Sequence, residues 1–466
     1  MNETQRYEML ASGEKRNGHH GAPRQRPDRP RAAVSSDLTV QVYSAIADVP
    51  QAEWDGLARV QTQSLFFDRR FLRGVEAGAE QGLECHYALF YEGDRPLGLG
   101  CFQITDFVGQ PVGPLLDRAP ATVSFIAQRL RLAQRAFRVR LLVCGNAFTS
   151  GEHGFVFAPD VQPDRAVRAL LEAVDRIRRA QSASAATAVL FKDFGPGASS
   201  HRIAGRLRDH AFSDLETEPN MVLDINPAWG GYEGYLESLA SKYRIKANRA
   251  FAKSQDLTVR DLSAEDLAQH AHSFAVIYDA VLDRADYRLG RQTPAAFRAL
   301  REELGDELVL RGFFQGDRLV GFSSGFVADG ALETQCVGID YALNRELAIY
   351  PRMLYDYLQV AMDRGLTKVN YGRTASEIKS TLGAEPVSAS CYVRHEQRAA
   401  NRLLPLLSRY VRMPSGPVRR PFKQAFYVAR GEEEATSVGV DFSFGSLVQA
   451  TCAPCPFWRD TPLGSR

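Results

Sequence analysis

The residues whose types and spacing most clearly indicate a binding role are the cations between positions 242 and 253. On a helix, four of them follow at steps of four, three and four and share one face: Lys242, Lys246, Arg249 and Lys253. Like charges at this spacing destabilise a helix by about 0.2–0.5 kcal/mol per pair, so we expect an anion opposite them. The favoured ligands are phosphate-rich: coenzyme A, a nucleotide-linked sugar or the acceptor end of tRNA. The alternative is a solvated basic face near a helix C-terminus, where the macrodipole favours cations.

A second constellation follows an apolar strand-like run that ends at position 371. Gly372 permits a sharp turn, and Thr374 with Glu377 has the Thr-x-x-Glu spacing of a capping box, which predicts a helix start here. The free N–H groups of that helix, together with Arg373 and Lys379, would face the space beyond the strand ends, where open α/β sheets bind ligands. The alternative is a short, well-capped helix with no role in a site.

A repeated hairpin indicates how the chain positions these residues. Segments 91–98 and 314–321 both contain Gly-Asp-Arg-x-x-Gly between two strand-like runs. Gly93 and Gly316 allow positive φ, so each turn can reverse two half-buried strands. The separation of 223 residues in a chain of 466 suggests that one α/β unit was duplicated, and the alternative is a chance match. Because hairpins stand beside strand–helix–strand units, we predict two tandem α/β domains with mixed sheets.

The two domains are predicted over 37–215 and 216–430, between a disordered leader (1–36) and a poorly ordered tail (431–466). The leader has too few apolar residues to fold. In the first domain, strands are predicted at 38–43, 139–144 and 186–192, and helices near 50–59, 121–136 and 163–180. In the second domain, strands are predicted at 221–225, 257–261, 331–339, 367–371 and 388–394, and helices at 232–255, 266–283, 294–304, 346–364 and 375–382.

Composition predicts a cytoplasmic protein. The chain has 57 basic and 55 acidic residues, and a net charge of +2 predicts no general affinity for nucleic acid or membranes. We find no run of 18 apolar residues and no apolar core of a secretory signal in the first 36 residues. Seven cysteines without framework spacing fit a reducing compartment. Base-stacking aromatics are not interleaved with the basic face, so sequence-specific nucleic-acid binding is not expected.

Two further features leave alternatives open. Cys452 and Cys455 could supply half of a zinc site or a redox pair, but a disordered tail is favoured over both. The segment 398–430 contains eight basic residues and no acidic one, interleaved with apolar residues. It could contact an anionic membrane surface, and the favoured alternative is a terminal helix docked on the domain with its arginines outward.

Three motifs together resemble one family. Lys-Tyr-Arg-x-Lys-x-x-Arg-Ala, the Gly-Asp-Arg-x-x-Gly hairpin and Tyr-Gly-Arg-Thr-x-x-Glu-Ile-Lys-x-x-x-Gly-Ala look like the Fem-like acyltransferases of peptidoglycan biosynthesis, a branch of the GNAT superfamily. The resemblance spans roughly residues 40–400 and implies twin GNAT-like domains that transfer an acyl or aminoacyl group to an amine. It implies that the ligand-binding side lies mainly in the second domain, through Lys242, Arg244, Lys246, Arg249, Gly372, Arg373, Glu377 and Lys379. In the first half, Gly145-Asn146 and Gly151-Glu152-His153-Gly154 resemble a segment of the same relatives without an assigned role.

These motifs leave two alternatives for the molecule that donates the acyl group. An ordinary GNAT binds the coenzyme A pyrophosphate with a Gln/Arg-x-x-Gly-x-Gly/Ala loop at a helix start. The residues 340–346, which follow the strand predicted at 331–339, lack that pattern. The chain also lacks the helical hairpin insertion of some Fem enzymes, so both acyl-CoA and aminoacyl-tRNA remain candidate donors. No metal is predicted.

Acyl transfer to an amine requires a neutral nucleophile, a proton acceptor and N–H donors for the developing oxyanion. The candidate proton acceptors are Glu333 and Asp340, which bracket a strand, and Tyr371 could protonate the leaving group. No Cys or Ser lies in a nucleophile-elbow motif, so we expect direct attack in a ternary complex. The sequence therefore predicts an N-acyltransferase that acts on an anionic precursor, nucleotide- or lipid-linked, or on an anionic small molecule. The alternative is a non-catalytic recognition module that retains the fold and its basic groove.

Overall fold

The computed structural model describes residues 37–431, apart from 63, 80–81, 110–128, 130–136, 181–185, 196–198, 286 and 409–416. Its strands are β1 (Thr39–Tyr43), β2 (Glu84–Glu92), β3 (Arg95–Gly109), β4 (Phe137–Cys144), β5 (Phe155–Phe157), β6 (Ala188–Phe194), β7 (Ser213–Glu216), β8 (Asn220–Asp224), β9 (Leu257–Asp261), β10 (Tyr287–Leu289), β11 (Leu308–Gln315), β12 (Arg318–Ala328), β13 (Ala331–Ile339), β14 (Lys368–Asn370), β15 (Glu385–Val387) and β16 (Ser390–His395).

The α-helices of the described residues are α1 (Gln51–Gln61), α2 (Arg69–Ala77), α3 (Pro163–Ala180), α4 (Ser199–Gly205), α5 (Tyr232–Ser238), α6 (Ser241–Lys253), α7 (Ala264–Gln269), α8 (Ala271–Leu282), α9 (Pro294–Leu304), α10 (Tyr341–Leu347), α11 (Ile349–Asp363), α12 (Ser376–Ser380), α13 (Arg398–Ser408) and α14 (Gln424–Ala429). Short 3-10 turns lie at Ile46–Asp48, Leu65–Phe67, Arg206–His210, Pro227–Trp229 and Gly305–Glu307.

The strands form two mixed sheets. The first sheet has the order β1-β2-β3-β4-β6-β16-β7, with β5 and β10 also paired to β3. The second has the order β15-β8-β14-β13-β12-β11-β9. Each sheet contains one parallel pair, β4 with β6 and β13 with β14, among antiparallel neighbours. The predicted α/β fold with mixed sheets is therefore confirmed.

The repeated hairpin is reproduced residue by residue. In the first copy Glu92 pairs with Arg95 and the register shifts after Phe90, and the second copy shifts at the equivalent position, after Phe313. Gly93 and Gly316 have φ of +60° and +58°. A bulge at the same position of both hairpins is difficult to obtain by a chance match of six letters, because bulges depend on the local strand geometry. The structure supports duplication.

Two segments of the range predicted for the second domain belong to the first sheet. The strand β16 pairs with β6 and β7, and β10 pairs with β3. The first sheet therefore contains strands from both predicted ranges, and the predicted boundary at 215/216 does not separate the strands of the two sheets. The helix predicted at 121–136 lies almost entirely outside the described residues, as do the leader and nearly all of the tail.

The single long helix predicted at 232–255 is wrong. The chain forms α5 and α6 with a break at Leu239 and Ala240, where the segment before α14 crosses. Ala240 N–H donates to the Pro421 carbonyl (2.8 Å), and Lys423 N–H donates to the Ser238 carbonyl (2.9 Å). These bonds use backbone groups that a continuous helix would pair internally. The helix predicted at 266–283 is likewise divided, into α7 and α8.

The two repeats share one apolar core. The Phe326 ring on β12 lies edge-on to those of Phe66 and Phe71, with centroids 5.8 and 5.3 Å apart. Helices α2 and α9 approach closely at Gly74, because this residue has no Cβ. A Cβ there would lie only 2.7 Å from Leu300 Cδ2. This packing holds β12 and α9 against residues of the first half of the chain.

Candidate functional site

A cavity of about 280 Å³ lies where β13 and β14 separate. These strands pair only from Ala331 and Lys368 to Glu333 and Asn370. Beyond that point β13 continues to Ile339, whereas the residues that follow β14 turn away from it. The gap is lined from β13 by Thr334, Gln335 and Val337, and from the turn by Tyr371, Gly372, Arg373 and Thr374.

The first half of the chain supplies the opposite wall. The strands β4 and β6 are the parallel pair of the first repeat, and residues that follow or end them reach the same cavity: Ala147, Phe148, Thr149, Ser150 and Lys192. Leu289 on β10 also lines it. The cavity is therefore shared by both halves, although most of its lining residues lie in the range predicted for the second domain.

Aromatic residues of the cavity use their hydroxyl groups within the fold. Tyr357 on α11 donates to the Ser324 carbonyl (2.8 Å), and Tyr371 donates to the Leu354 carbonyl (3.1 Å). Burial raises the pKa of both tyrosines well above the usual value. The Tyr371 hydroxyl proton is thus engaged by a backbone acceptor, which disfavours its predicted role as the acid that protonates the leaving group.

Three charged side chains form a buried network across the cavity. The Asp193 carboxylate, which is 0% exposed, contacts Arg373 through one oxygen and accepts from Lys192 Nζ (2.5 Å) and Gly151 N–H (3.1 Å) through the other. Lys192 Nζ also donates to the Thr149 carbonyl (2.7 Å). Burial opposes ionisation of Asp193, but the cations of Lys192 and Arg373 outweigh it and hold its pKa well below the usual range. The network therefore joins the strand ends of the two repeats.

Lys379 is buried beneath the turn that carries Arg373. It is 4% exposed, and its Nζ donates to the carbonyls of Gly372 (3.2 Å) and Arg373 (2.5 Å). Burial lowers the pKa of Lys379 to about 7, against the opposing effect of Glu218. The side chain thus fixes the turn and adds a titratable cation to the cavity wall.

The predicted capping box is wrong. The N-cap of α12 is Ala375, which makes no side-chain hydrogen bond, so Thr374 and Glu377 lie one position out of register for a capping box. Thr374 N–H instead donates to Glu218 (3.0 Å), and Glu377 pairs with Arg419 at 2.5 Å, away from the cavity. The helix has only five residues, and Glu377 does not line the cavity.

Unusual backbone conformations concentrate at this site. Thr374, Ala375 and Asp193 have φ of +64°, +49° and +70°, a region that non-glycine residues seldom adopt. Each costs about 1–3 kcal/mol and persists only where surrounding contacts hold it. Hydrogen bonds to Glu218 and Lys379 hold the first turn, and the ion pairs hold Asp193. Strain of this kind is typical of binding and catalytic sites.

The two predicted carboxylates differ in environment. Glu333 is in the last residue pair before the strands separate, and it accepts from Asn370 Nδ2 (2.7 Å). Burial raises its pKa to about 7, although the hydrogen bond from Asn370 opposes the shift. Asp340 lies at the other end of β13, where it caps α10 by accepting from Ala342 N–H (3.0 Å) and pairs with Arg318. Neither carboxylate lines the cavity itself.

The basic helix is not brought to the cavity. The face of α6 opposite the cations is buried through Ala247 and Ala250. The five predicted ligand-binding cations on this helix do not line the cavity: Lys242, Arg244, Lys246, Arg249 and Lys253. Lys253 Nζ donates to the Arg345 carbonyl (3.0 Å), which places the end of α6 beside α10. The two predicted constellations therefore occupy different surfaces.

The sequence reasoning did not identify Lys192 and Asp193. Their signal was a charged pair next to the end of the apolar strand Ala188–Phe194. The segment 151–154, which had no assigned role, contacts this pair through Gly151. His153 stacks on Phe66 at 3.8 Å, and burial lowers its pKa to about 4, so it is neutral and packs in the core.

Several basic residues of the segment 398–430 have partners on the domain. Arg419 pairs with Glu377, Arg430 pairs with Glu385 (2.9 Å), and Arg420 lies over the Tyr427 ring at 3.9 Å. Within the described residues, no helix is long and apolar enough to cross a membrane. The same residues contain no group of three His, Cys, Asp or Glu side chains arranged to hold a metal ion.

The chain matches several solved structures at low sequence identity and at TM-scores below 0.5. No protein-family model matches the sequence, and no curated protein is similar to it in sequence. The chain is similar to the crystal structure of FemX, at 11% identity over 78% of this chain and all of FemX, with a TM-score of 0.44. It is also similar to a tandem GNAT protein from the clavulanic acid biosynthesis pathway, at 12% identity over 77% and 98% of the two chains, with a TM-score of 0.46. A third similar structure is L-PGS from Bacillus licheniformis, at 12% identity over 61% and 86%, with a TM-score of 0.37.

Proposed function

We propose that the protein is a cytoplasmic N-acyltransferase of the GNAT and Fem-like type, which moves an acyl or aminoacyl group to an amine of an anionic acceptor. The observation that supports this proposal is the cavity at the separated strands β13 and β14. A strand without a partner on one side offers backbone N–H and C=O groups to an extended ligand. N–H groups in such a setting can also stabilise the oxyanion that forms when a carbonyl is attacked.

Glu333 is the proposed proton acceptor. The amine nitrogen attacks the carbonyl carbon of a thioester or ester donor, and its proton passes to the Glu333 carboxylate. The C–S or C–O bond then breaks, and the leaving thiolate or alkoxide takes up that proton from the Glu333 carboxylic acid. A pKa of about 7 suits a group that must accept a proton near neutral pH. Because Thr334, the next residue, lines the cavity and Glu333 does not, the proton would have to reach Glu333 through water. Asp340 and Tyr371 are not retained in this mechanism, since each is engaged by another partner.

The exposed cations of α6 are the proposed contact for phosphates of the donor, either coenzyme A or tRNA. Arg249 is exposed and Arg244 is half-buried, and α6 carries no acidic residue. Phosphate oxygens are favourable partners for such a face. A peripheral membrane contact through the segment 398–430 is a proposal of the same kind.

One observation favours the second candidate function, a non-catalytic recognition module. Asn344 Oδ1 accepts from Tyr350 N–H (2.8 Å) near the start of α11, so this N–H group is satisfied inside the protein rather than open to a pyrophosphate. A module of this kind would bind the acceptor but no donor. A donor held in another way, such as aminoacyl-tRNA, would equally leave Asn344 in place.

The test is a transfer assay with purified full-length protein. Acetyl-CoA, longer acyl-CoAs and aminoacyl-tRNA are each incubated with a panel of amines, and products are identified by mass spectrometry. The enzyme is supported if the wild type and the control Arg298→Ala, an exposed arginine of α9, both transfer. It also requires that Arg373→Ala loses transfer at a temperature at which circular dichroism shows that variant to be folded. Binding of an amine without transfer from any donor would support the module and contradict our proposal.

A further inference from the structure

The cavity carries more positive charge than its own carboxylate balances. Its wall contains Lys192, Arg373 and Lys379, whereas Asp193 is the single carboxylate that the described residues place against Lys192 and Arg373. Lys379 Nζ donates to the carbonyls of Gly372 and Arg373, and the Glu218 carboxylate, which accepts from Thr374 N–H in the same turn, favours its charged form. An excess cation inside a fold is costly unless an anion accompanies it. Three cations against the two carboxylates Asp193 and Glu218 leave an excess of about one charge, which fits a monoanion better than a nucleotide with several phosphate charges.

Arg373 has unused hydrogen-bonding capacity. Its side chain is 23% exposed, and one terminal nitrogen contacts Asp193. Its Nε is buried without a hydrogen-bond partner. A guanidinium carries five N–H donors in a planar fork that matches a carboxylate. Asp193 thus contacts one terminal nitrogen of the guanidinium, and the remaining N–H donors can bind a second carboxylate.

The size and the walls of the cavity restrict the rest of the ligand. A volume of about 280 Å³ lies below the range of roughly 300–1,000 Å³ that is typical of sites for drug-sized ligands. Four lining residues are apolar or aromatic without a polar group, Phe148, Leu289, Val337 and Leu354, and they lie beside polar residues such as Thr334 and Gln335. A ligand that fills this space has a small apolar or aromatic body.

We infer that the cavity binds a small apolar amino acid, whose carboxylate pairs with Arg373 beside Lys379 and whose side chain packs on Phe148 and Leu289. The inference rests on the proposed function only in making the free amine of this molecule the acceptor. It narrows the acceptor to a free amino acid, because the phosphates of a nucleotide-linked precursor would exceed both the charge and the volume. The C-terminal residue of a peptide offers the same carboxylate but no free amine beside it.

The test is isothermal titration calorimetry of the full-length protein without a donor. The ligands are L-phenylalanine, L-leucine, L-phenylalaninamide, 3-phenylpropanoate, the dipeptide Gly-Phe and UMP. We expect L-phenylalanine and 3-phenylpropanoate to bind, and the amide, which lacks the carboxylate, to bind at least about tenfold more weakly. Gly-Phe should bind more weakly than L-phenylalanine. Equal binding of amide and acid, or binding of UMP in place of the acids, would overturn the inference.

Variants separate the cavity from the surface. Arg373→Lys keeps a charge but loses the planar fork, and we expect L-phenylalanine to bind at least about tenfold more weakly. Arg298→Ala should bind as the wild type does. An Arg373→Lys protein with wild-type affinity and wild-type Tm would contradict the assigned contact, and the ligand comparison on wild type decides the matter if this variant does not fold.

The two proposals fail in different ways. If L-phenylalanine binds but no donor acylates it, the inference about the ligand stands and the proposed function fails. If mass spectrometry finds transfer only to amines without a carboxylate, the proposed function stands and the inference fails.

Discussion

Replacing Asp193 by asparagine tests the buried network that joins the two repeats. The wild-type carboxylate contacts two cations, Lys192 and Arg373, whose side chains are 6% and 23% exposed. The variant keeps the size of the side chain but removes its charge, so both cations stay in the fold without compensation. Breaking a buried ion pair on one side costs about 3–5 kcal/mol, and we expect a loss of this size in the free energy of unfolding.

Urea denaturation followed by circular dichroism measures this loss. The matched control is Asp214→Asn, because Asp214 pairs with Arg208 on the surface with both side chains more than half exposed, and such a pair contributes about 0–1 kcal/mol. The double variant Asp193→Asn with Lys192→Met should recover part of the loss, since one uncompensated cation is then removed. If Asp193→Asn loses no more stability than the control, the network does not hold the repeats together as described.

The remaining predictions concern titration and the hairpin. The pKa of Glu333 is raised from 4.5 to about 7, so the stabilising contribution of Glu333 to the free energy of unfolding is fully present below pH 4.5 and is lost as the pH rises through 7. Glu333→Gln should remove this pH dependence, and a dependence that persists would contradict the assignment. The pKa of Lys379 is lowered from 10.5 to about 7, so the stabilising contribution of neutral Lys379 is fully present above pH 10.5 and is lost as the pH falls through 7. Lys379→Met should flatten this part of the plot of unfolding free energy against pH, and an unchanged slope would assign the titration to another group. Gly316→Ala should cost about 1 kcal/mol because φ is +58°, whereas Gly56→Ala inside α1, with open space around it, should stabilise by up to about 1 kcal/mol, both measured by denaturation; equal effects would show that φ is not the cause.

Local signals were read correctly from the sequence. The turn at Gly316 depends on residues within a few positions, and the bounds of β9, β13 and α9 agree with the prediction because each has its own apolar pattern and end signal. Thr293, for example, caps α9 by accepting from Ala296 N–H (3.1 Å), and Pro294 follows at the first helical position.

Nonlocal features could not be predicted. The break before α6 depends on Pro421 and Lys423, which lie more than 170 residues later in the chain and use its backbone groups. The pairing of β16 with β6 likewise depends on contacts that a strand pattern does not encode.

Part of the candidate site was found from the sequence. The turn 371–374 and Lys379 were predicted, because a glycine after a strand and nearby cations are visible in the sequence. Lys192 and Asp193 were missed, because a charged pair at a strand end is more often solvated than buried. The capping box failed because positive φ at Thr374 and Ala375 moved the N-cap by one residue, which spacing alone does not show.

The transfer rate of Lys192→Met tests the central claim most directly, since the account makes both repeats contribute to one acyl-transfer site. The variant removes a cavity cation supplied by the first repeat and leaves the contact between Asp193 and Arg373 in place. With the donor and amine that the wild type uses, and at a temperature at which circular dichroism shows the variant to be folded, we predict a loss of rate, as for Arg373→Ala from the second repeat. A folded Lys192→Met protein that transfers at the wild-type rate would contradict a site shared by the two halves.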